Sequence, residues 1–393
     1  MHLNDYQIQA LKEMKDSRAV DPKLLNAFVD KHGAMNVFLR FTQEHEELNI
    51  CFRGNNNAIE IYYYNHVVWK LSAGKNRCWK VSFNIGHAKG MPNEVELRKY
   101  FKDHDFKMKP DGKTIYMEKS YYTDEDINCD LWCRFKEIMD YYFRPSNGSP
   151  NIEKRWQHKF FRDFHKDKYI FDGLYIYDLE YHQKLPHKKD LFKIWGLKTD
   201  EELKEMRVHS TIMKTDLVPA KNEPDFLGVE FDKKKNEVCL IFGEIKSLYD
   251  TCEGQSGIYT HLDRMREYLN LDVLIKKRKD EAESILKQYA AIGDINDSYC
   301  FDGLSEKLNV KNVLVLTNSQ YFNEEQSSVV EWKLGAIKYF EDNRDSIIEK
   351  ARASECEIWL LNNIRCDDDR VISMNNITRL NKENNYSIKE AMC

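Results

Sequence analysis

The spacing of apolar residues changes several times along the chain, and each change predicts a change of secondary structure. Helical spacing over residues 1 to 45 predicts two or three amphipathic helices. Residues 48 to 86 instead contain short runs rich in Ile, Val, Tyr and Trp, separated by turns such as GNNN at 54 to 57, which predicts an antiparallel sheet. Helical spacing returns at 93 to 104 and at 124 to 143.

The segment RPSNGSP, residues 144 to 150, is the clearest linker in the sequence. We therefore predict a first domain over residues 1 to 150, with helices, an antiparallel sheet and a recognition or regulatory role. A second domain is predicted over residues 151 to 365, and a peripheral tail over residues 366 to 393. The aromatic residues on the strands of the first domain suit either a hydrophobic core or stacking on bases, and they are Tyr62, Tyr63, Tyr64, Trp69, Trp79 and Phe83.

The second domain reads as a helix, strands, helices and further strands. The predicted helices lie at 152 to 165, 254 to 269, 273 to 290 and 328 to 351, and the predicted strands at 168 to 181, 223 to 247, 312 to 319 and 355 to 363. This order predicts a mixed sheet flanked by helices. The predicted fold class is therefore α/β, or α+β for the whole chain, with a smaller α+β domain preceding the mixed-sheet domain.

Bulk composition narrows the classes of protein. The chain has 393 residues, 42% of them hydrophobic, and no run of eighteen consecutive apolar residues. Its amino terminus is polar, so we expect a cytoplasmic protein that is not in a membrane. The net charge of -5 combines many charges of both signs, which neither requires nor excludes nucleic acid as a partner. Ten scattered cysteines favour reduced thiols over a disulfide framework.

The strand EVCLIFGEIKS, residues 237 to 247, carries the most unusual pattern in the chain. Alternation places Phe242, Glu244 and Lys246 on one face, and both faces are apolar along most of the run. The pattern predicts a central strand with an acid and a lysine at its end. Burying such charged groups near a core costs free energy, so they are expected there only with partners that compensate them or with a function that requires them.

A second acid is predicted to lie beside Glu244. If residues 223 to 247 form a hairpin, Asp225 on the first strand comes close to Glu244 on the second. Two adjacent carboxylates repel each other unless a divalent cation bridges them, and Mg²⁺ prefers such oxygen ligands. Lys246 would then lie where it can position an attacking water or stabilise charge at a phosphorus atom.

Pro224 and Asp225, followed after eighteen residues by Glu244, Ile245 and Lys246, resemble the signature of the PD-(D/E)xK phosphodiesterase superfamily, the restriction-endonuclease-like nucleases. The order of helix, strands, helix and strand is similar to the core of that superfamily. The segment QSGIY, residues 255 to 259, resembles the Q-x-x-x-Y element of RecB-like nucleases. The resemblance covers roughly residues 150 to 320.

This resemblance implies a Mg²⁺-dependent nuclease, with Mn²⁺ as a substitute, that hydrolyses phosphodiester bonds. Asp225 and Glu244 would bind the metal, and Lys246 would assist the attacking water. Gln255 and Tyr259 would orient the site and contact the nucleic-acid backbone. Glu153 on the preceding helix would complete the catalytic set. DNA is the expected substrate with RNA not excluded, endonuclease action is favoured over exonuclease action, and a prokaryotic defence or restriction role follows by fold-level analogy.

Several alternatives stay open. Gln157 is an alternative to Glu153 as the catalytic residue from the preceding helix. The same helix carries His158, which resembles a histidine that some RecB-like members have on that helix. Asp178 and Glu180 form a second carboxylate pair, without a lysine at the same spacing. The basic segments at 233 to 235 and at 275 to 281 are candidates for contacts with the phosphates of a nucleic acid.

The alternative function is a catalytically inactive nuclease-fold module that binds nucleic acid or scaffolds a complex. In a metal-free scaffold, Asp225 and Lys246 would form a buried ion pair. A homodimer, or a partner protein bound through residues 1 to 150, also stays open.

Overall fold

The protein is described from a computed structural model. The described residues are 18–63, 66–143, 152–165, 173–179, 199, 201, 224–232, 237–247, 257–269, 272–317, 342–361, 372 and 374–386. They fall into two compact units. The antiparallel-sheet unit contains those between Ser17 and Tyr169 together with Ser284–Phe301. The mixed-sheet unit contains those between Ile170 and Glu283 and from Asp302 onwards.

In the antiparallel-sheet unit, the described residues form a sheet of six strands in the order β1-β2-β3-β4-β6-β5, with every neighbouring pair antiparallel. The strands are β1 Asn49–Arg53, β2 Ala58–Tyr63, β3 His66–Ala73, β4 Trp79–Asn84, β5 Lys107–Met108 and β6 Thr114–Lys119. The predicted turn after β1 is formed by GNNN, and it closes at Asn57 in the left-handed conformation, with φ of 43°. Asparagine tolerates that conformation better than most residues, so the turn follows from local chemistry.

Five described helices lie wholly within this unit: α1 Pro22–Val29, α2 Asn36–Glu44, α3 Glu94–Asp103, α4 Cys129–Tyr142 and α5 Ile152–His165. Helix α1 begins where Asp21 accepts a hydrogen bond from the backbone N–H of Leu24, with Pro22 at the first helical position. Both features favour a helix start, as the sequence predicts.

The aromatic residues of this unit form its core. Trp69 is fully buried, and its ring meets those of Phe38, Phe41, Trp132 and Phe135 edge-on at centroid distances of 5.6 to 5.8 Å. Among the strand aromatics considered for base stacking, the buried ones are Tyr62, Tyr63, Trp69 and Phe83. Trp79 is partly exposed, and Tyr64 lies outside the described residues. Burial assigns those four rings to packing.

The described residues of the mixed-sheet unit form a six-stranded sheet in the order β12-β11-β10-β9-β8-β7. They are β7 Leu174–Leu179, β8 Phe226–Asp232, β9 Glu237–Ser247, β10 Leu308–Thr317, β11 Cys356–Leu361 and β12 Ile377–Leu380. Strands β7, β8 and β9 pair antiparallel, β9, β10 and β11 pair parallel, and β12 returns antiparallel to β11. The apolar β9 therefore lies inside the sheet, as its sequence predicts.

Helices α6 and α9 cover one face of the mixed sheet. Among the described residues, the other helices are α6 Ile258–Leu269, α7 Asp272–Ala291, α8 Leu304–Lys307 and α9 Arg344–Ala353. The residues of α7 from Ser284 onwards belong to the antiparallel-sheet unit. The shared core contains Ile258, Leu262 and Met265 of α6, Ile347, Ile348 and Ala351 of α9, and the strand residues Leu314, Leu316, Ile358, Leu360 and Leu380. The apolar residues at helical spacing on α6 and α9 thus pack against the apolar residues that alternate along the strands.

The predicted α+β class is confirmed, with one antiparallel sheet and one mixed sheet. The sequence did not predict β5 and β6, which are short or only partly apolar, nor β12, which lies within the predicted tail of residues 366 to 393. The predicted domain boundary at residues 144 to 150 falls outside the described residues. That division of the chain therefore stays a prediction. Across the part of the chain that the structure describes, no helix is both long enough and apolar enough to span a bilayer.

Candidate active site at the ends of strands β8 and β9

The hairpin of β8 and β9 brings Asp225 and Glu244 opposite each other. Its register pairs Phe226 with Gly243, so the next position places Asp225 beside Glu244, as predicted. Oδ2 of Asp225 accepts a hydrogen bond of 2.7 Å from the backbone N–H of Ile245. This bond continues the strand pairing by one residue, using a side chain in place of a backbone carbonyl.

Gly243 allows the two strands to approach at this point. A Cβ atom at Gly243 would overlap the ring of Phe226, so no larger residue fits without a shift. Phe226 itself is fully buried. The glycine and the aromatic ring therefore form a tight support directly beside the two acids.

The side chains of Glu244 and Lys246 project toward α6. In the parallel register with β10, Glu244 pairs with Leu314 and Lys246 pairs with Leu316. Paired residues point to the same face of a sheet, and both leucines belong to the core covered by α6. Helix α6 therefore lies over the acid and the lysine.

Oε1 of Glu244 receives two contacts. Nζ of Lys246 lies 2.9 Å from it, and Nδ1 of His261 on α6 lies 2.7 Å from it. Burial alone would raise the pKa of Glu244, but the hydrogen bond from His261 and the charge of Lys246 outweigh burial and leave that pKa below its ordinary value. Glu244 is therefore a carboxylate at neutral pH.

All three predicted core residues of the site are buried. The exposed fractions are 8% for Asp225, 2% for Glu244 and 3% for Lys246. Burying an ion pair costs desolvation energy that its attraction only partly offsets, so such a pair is weak evidence for a purely stabilising role. The site also lies at the carboxyl ends of the parallel strands β9 and β10, where Oγ1 of Thr317 donates to the carbonyl oxygen of Lys246. That edge is the usual location of ligand sites in sheets of this kind.

A bulge in β7 brings a further acid to this edge. The register shifts between Ile176 and Asp178, which leaves Tyr177 as the extra residue and pairs Asp178 with Leu227. Leu227 pairs with Phe242, so Asp178 lies on the same face and at the same end of the sheet as Glu244. Asp178 is fully buried. Glu180, its predicted companion, lies outside the described residues.

The remaining predicted residues are placed less completely. Tyr259 on α6 is partly buried and packs against the core cluster under that helix. Glu153 lies in the first turn of α5, but its side chain is outside the described ones, as is Gln255 altogether. The basic residues 233 to 235 are also outside the described residues. Their roles stay predictions.

His158 and Lys246 bear on two of the open alternatives. His158 is buried in the antiparallel-sheet unit, where desolvation lowers its pKa to about 3. That value keeps the imidazole neutral at pH 7. Lys246 forms an ion pair with Glu244, on its own strand. The pair with Asp225 that the scaffold alternative expects stays a prediction.

His261 is the site residue that sequence reasoning missed. It lies two positions after Tyr259 on the same helix, and its side chain is 19% exposed. The only sequence signal was a histidine on the helix that follows the E-x-K strand. Only the packing of α6 on the sheet brings its imidazole to Glu244.

The donor set fits a magnesium ion. Among the described residues, no group of three or more His, Cys, Asp and Glu side chains forms a metal site. Mg²⁺, however, is usually bound by one or two carboxylates together with waters and substrate phosphates. Asp225 and Glu244 are two hard oxygen donors on adjacent strands, and Glu244 is ionised, so a site of that type matches the residues present.

Comparisons of the chain with protein-family models, curated proteins and solved structures give no match.

Proposed function

We propose that the protein is a magnesium-dependent nuclease that hydrolyses phosphodiester bonds of DNA, with Asp225, Glu244 and Lys246 at its centre. The observation that carries the proposal is the convergence of these three side chains at one end of the β8 and β9 hairpin. Two acids from opposite sides of the hairpin, and a lysine two positions after Glu244, are buried together there. The PD-(D/E)xK resemblance assigns the same three residues to metal binding and catalysis.

The buried groups have the properties that this chemistry requires. Bound at Asp225 and Glu244, Mg²⁺ would supply Lewis-acid stabilisation of the phosphate and a more acidic water. Asp225 is held by the N–H of Ile245, so its carboxylate needs little reorganisation on binding. The Lys246 ammonium, 2.9 Å from Glu244, lies where it would hydrogen-bond the attacking water or a phosphoryl oxygen.

Substrate class and biological role rest on the resemblance. DNA cleavage by internal attack and a prokaryotic defence or restriction role are proposed on that basis, with RNA as the second polymer to test. A homodimer or a partner bound through residues 1 to 150 is part of the same proposal, because restriction-type enzymes commonly act as dimers.

The second candidate is a nuclease-fold module that binds nucleic acid without cutting it. One observation favours it: Glu244 is already neutralised by Lys246 and hydrogen-bonded by His261. A site whose charges compensate each other in this way can be stable without metal. The two candidates differ in whether metal binding depends on Asp225 and Glu244.

The test is cleavage of supercoiled plasmid, linear duplex DNA, single-stranded DNA and RNA by the purified full-length protein, with Mg²⁺, Mn²⁺ or EDTA. We expect metal-dependent cleavage of DNA, which Lys246→Ala and Glu244→Gln reduce by at least about 100-fold. Lys307→Ala, at an exposed lysine of the same unit, is the matched control and should cut like the wild type.

Folding and binding are measured in parallel by circular dichroism and by filter binding of the same DNA. If the wild type binds DNA but cuts none of the four polymers with either metal, the catalytic proposal is wrong and the binding module takes its place. If the Lys246→Ala protein cleaves as fast as the wild type, this site does not catalyse the reaction.

A further inference from the structure

Glu244 is held by a residue of another element as well as by its own strand. Nδ1 of His261, on α6, lies 2.7 Å from Oε1 of Glu244. Lys246 contacts the same oxygen at 2.9 Å. Both contacts on one carboxylate oxygen fix the orientation of the carboxyl group.

The hydrogen bond defines the state of the imidazole. A carboxylate oxygen accepts hydrogen bonds, and Oε1 of Glu244 lies 2.7 Å from Nδ1 of His261. Nδ1 of His261 is therefore the donor, so a neutral His261 carries its proton on Nδ1. A histidine held in this way by a carboxylate has a fixed tautomer and a fixed ring plane.

The helix that carries His261 is firmly attached to the sheet. Ile258, Leu262 and Met265, on the same helix, are 0 to 1% exposed and pack on the strands beside β9. Lys350 of α9 also bonds Asp263 of α6 at 3.0 Å. Packing on both sides of position 261 keeps the imidazole in place whether or not Lys246 moves.

We propose that His261 is a positioning residue of the active site, holding Oε1 of Glu244 so that the carboxylate keeps its orientation when Lys246 turns toward a phosphodiester. This inference rests on the proposed nuclease function. The ammonium of Lys246 has three N–H donors, which Glu244 and the substrate would share. His261 supplies a second contact on Oε1 that does not depend on how Lys246 turns, so the metal-binding carboxylate does not have to reorganise during the reaction.

Two substitutions separate the effect of the N–H donor of His261 from the effect of its ring. His261→Asn keeps an N–H donor close to the position of Nδ1, whereas His261→Phe keeps the ring but removes the donor. We expect His261→Phe to weaken Mg²⁺ binding, measured by calorimetry on the full-length protein without DNA, by about 10- to 100-fold, and to lower kcat on plasmid DNA with little change of KM. His261→Asn should recover most of both losses. His32→Phe, at an exposed histidine, is the control.

The outcomes distinguish this inference from the proposed function. If the wild type binds metal and cleaves DNA, and His261→Phe does both equally well, the positioning role is wrong and the nuclease proposal stands. The same conclusion follows if His261→Phe and His261→Asn lose equal amounts of metal binding and activity. A wild type that neither binds Mg²⁺ nor cuts overturns the nuclease proposal and this inference with it. Thermal unfolding of each variant confirms that a loss does not come from unfolding.

Discussion

The carboxylate of Asp225 binds the backbone of the opposite strand at Ile245, with Oδ2 2.7 Å from the amide nitrogen. Asp225 therefore has two roles that a substitution can separate. Its hydrogen bond fixes the start of β8 against the end of β9, and its charge is one of the two that would hold a metal. The strand pairing and the candidate chemistry thus depend on the same side chain.

Asp225→Asn and Asp225→Ala should behave differently. Asparagine keeps an oxygen that accepts from Ile245 but has no charge, so we expect near wild-type stability with loss of Mg²⁺ binding. Alanine leaves a buried N–H without its acceptor, which should lower the free energy of unfolding by about 1 to 3 kcal/mol as well. Chemical denaturation and metal titration of both variants measure the two effects. Equal stability of the two variants would contradict the structural role of the bond.

Glu244→Gln is predicted to destabilise the protein through Lys246. The substitution removes the charge that compensates a lysine only 3% exposed. Breaking a buried pair from one side costs about 3 to 5 kcal/mol because the remaining buried charge loses the partner that compensated it. Glu244→Gln combined with Lys246→Met should recover much of that loss in urea denaturation. The exposed Glu349→Gln change on α9 is the matched control, and a double variant no more stable than the single one would contradict the pairing.

Gly243→Ala should disturb the support beneath the acids. The new methyl group would overlap the ring of Phe226, and overpacking of this kind costs about 1 to 3 kcal/mol. Phe226→Leu in the same chain removes the outer ring atoms and should relieve part of the cost. A double-mutant cycle in urea measures the coupling between the two positions. If the effects of the two substitutions on the free energy of unfolding are additive, the contact with Phe226 is not what excludes a larger residue at position 243.

The opposite face of the mixed sheet carries a charge network that makes stability depend on pH. Nη2 of Arg379 lies 2.8 Å and Nζ of Lys311 lies 3.5 Å from Oε2 of Glu357. Burial alone would raise the pKa of Glu357, but the charges of Arg379 and Lys311 outweigh it and lower the pKa of Glu357 to about 2.

Because this folded-state pKa lies below the ordinary value of 4.5, the unfolded chain takes up the proton first as the pH falls. The contribution of Glu357, on the order of 3 kcal/mol, is present above about pH 5 and is lost progressively toward pH 2. Urea denaturation at pH 7, 5 and 3 measures it. Glu357→Gln should be less stable at pH 7 and lose less between pH 5 and 3, unlike the control Glu355→Gln at an exposed position. Identical pH profiles for wild type and Glu357→Gln would refute the assignment.

The sequence alone determined the class of the fold and the central strand of the site. The apolar run before Glu244 and Lys246 requires burial on both faces, and that requirement follows from composition and alternation without knowledge of any partner. The hairpin between β8 and β9 likewise follows from two adjacent strands and a short polar turn. These features are local, so the residues that form them are sufficient to predict them.

Only the tertiary structure decided which distant groups meet these residues. His261 reaches Glu244 because α6 packs on one face of the sheet, and Asp178 reaches the same face because a bulge shifts the register of β7 by one residue. Strand β12 pairs antiparallel with β11 at the edge of the sheet. Neither the docking of a helix nor a shift of register leaves a reliable pattern in one sequence, since both depend on packing between segments that are far apart along the chain.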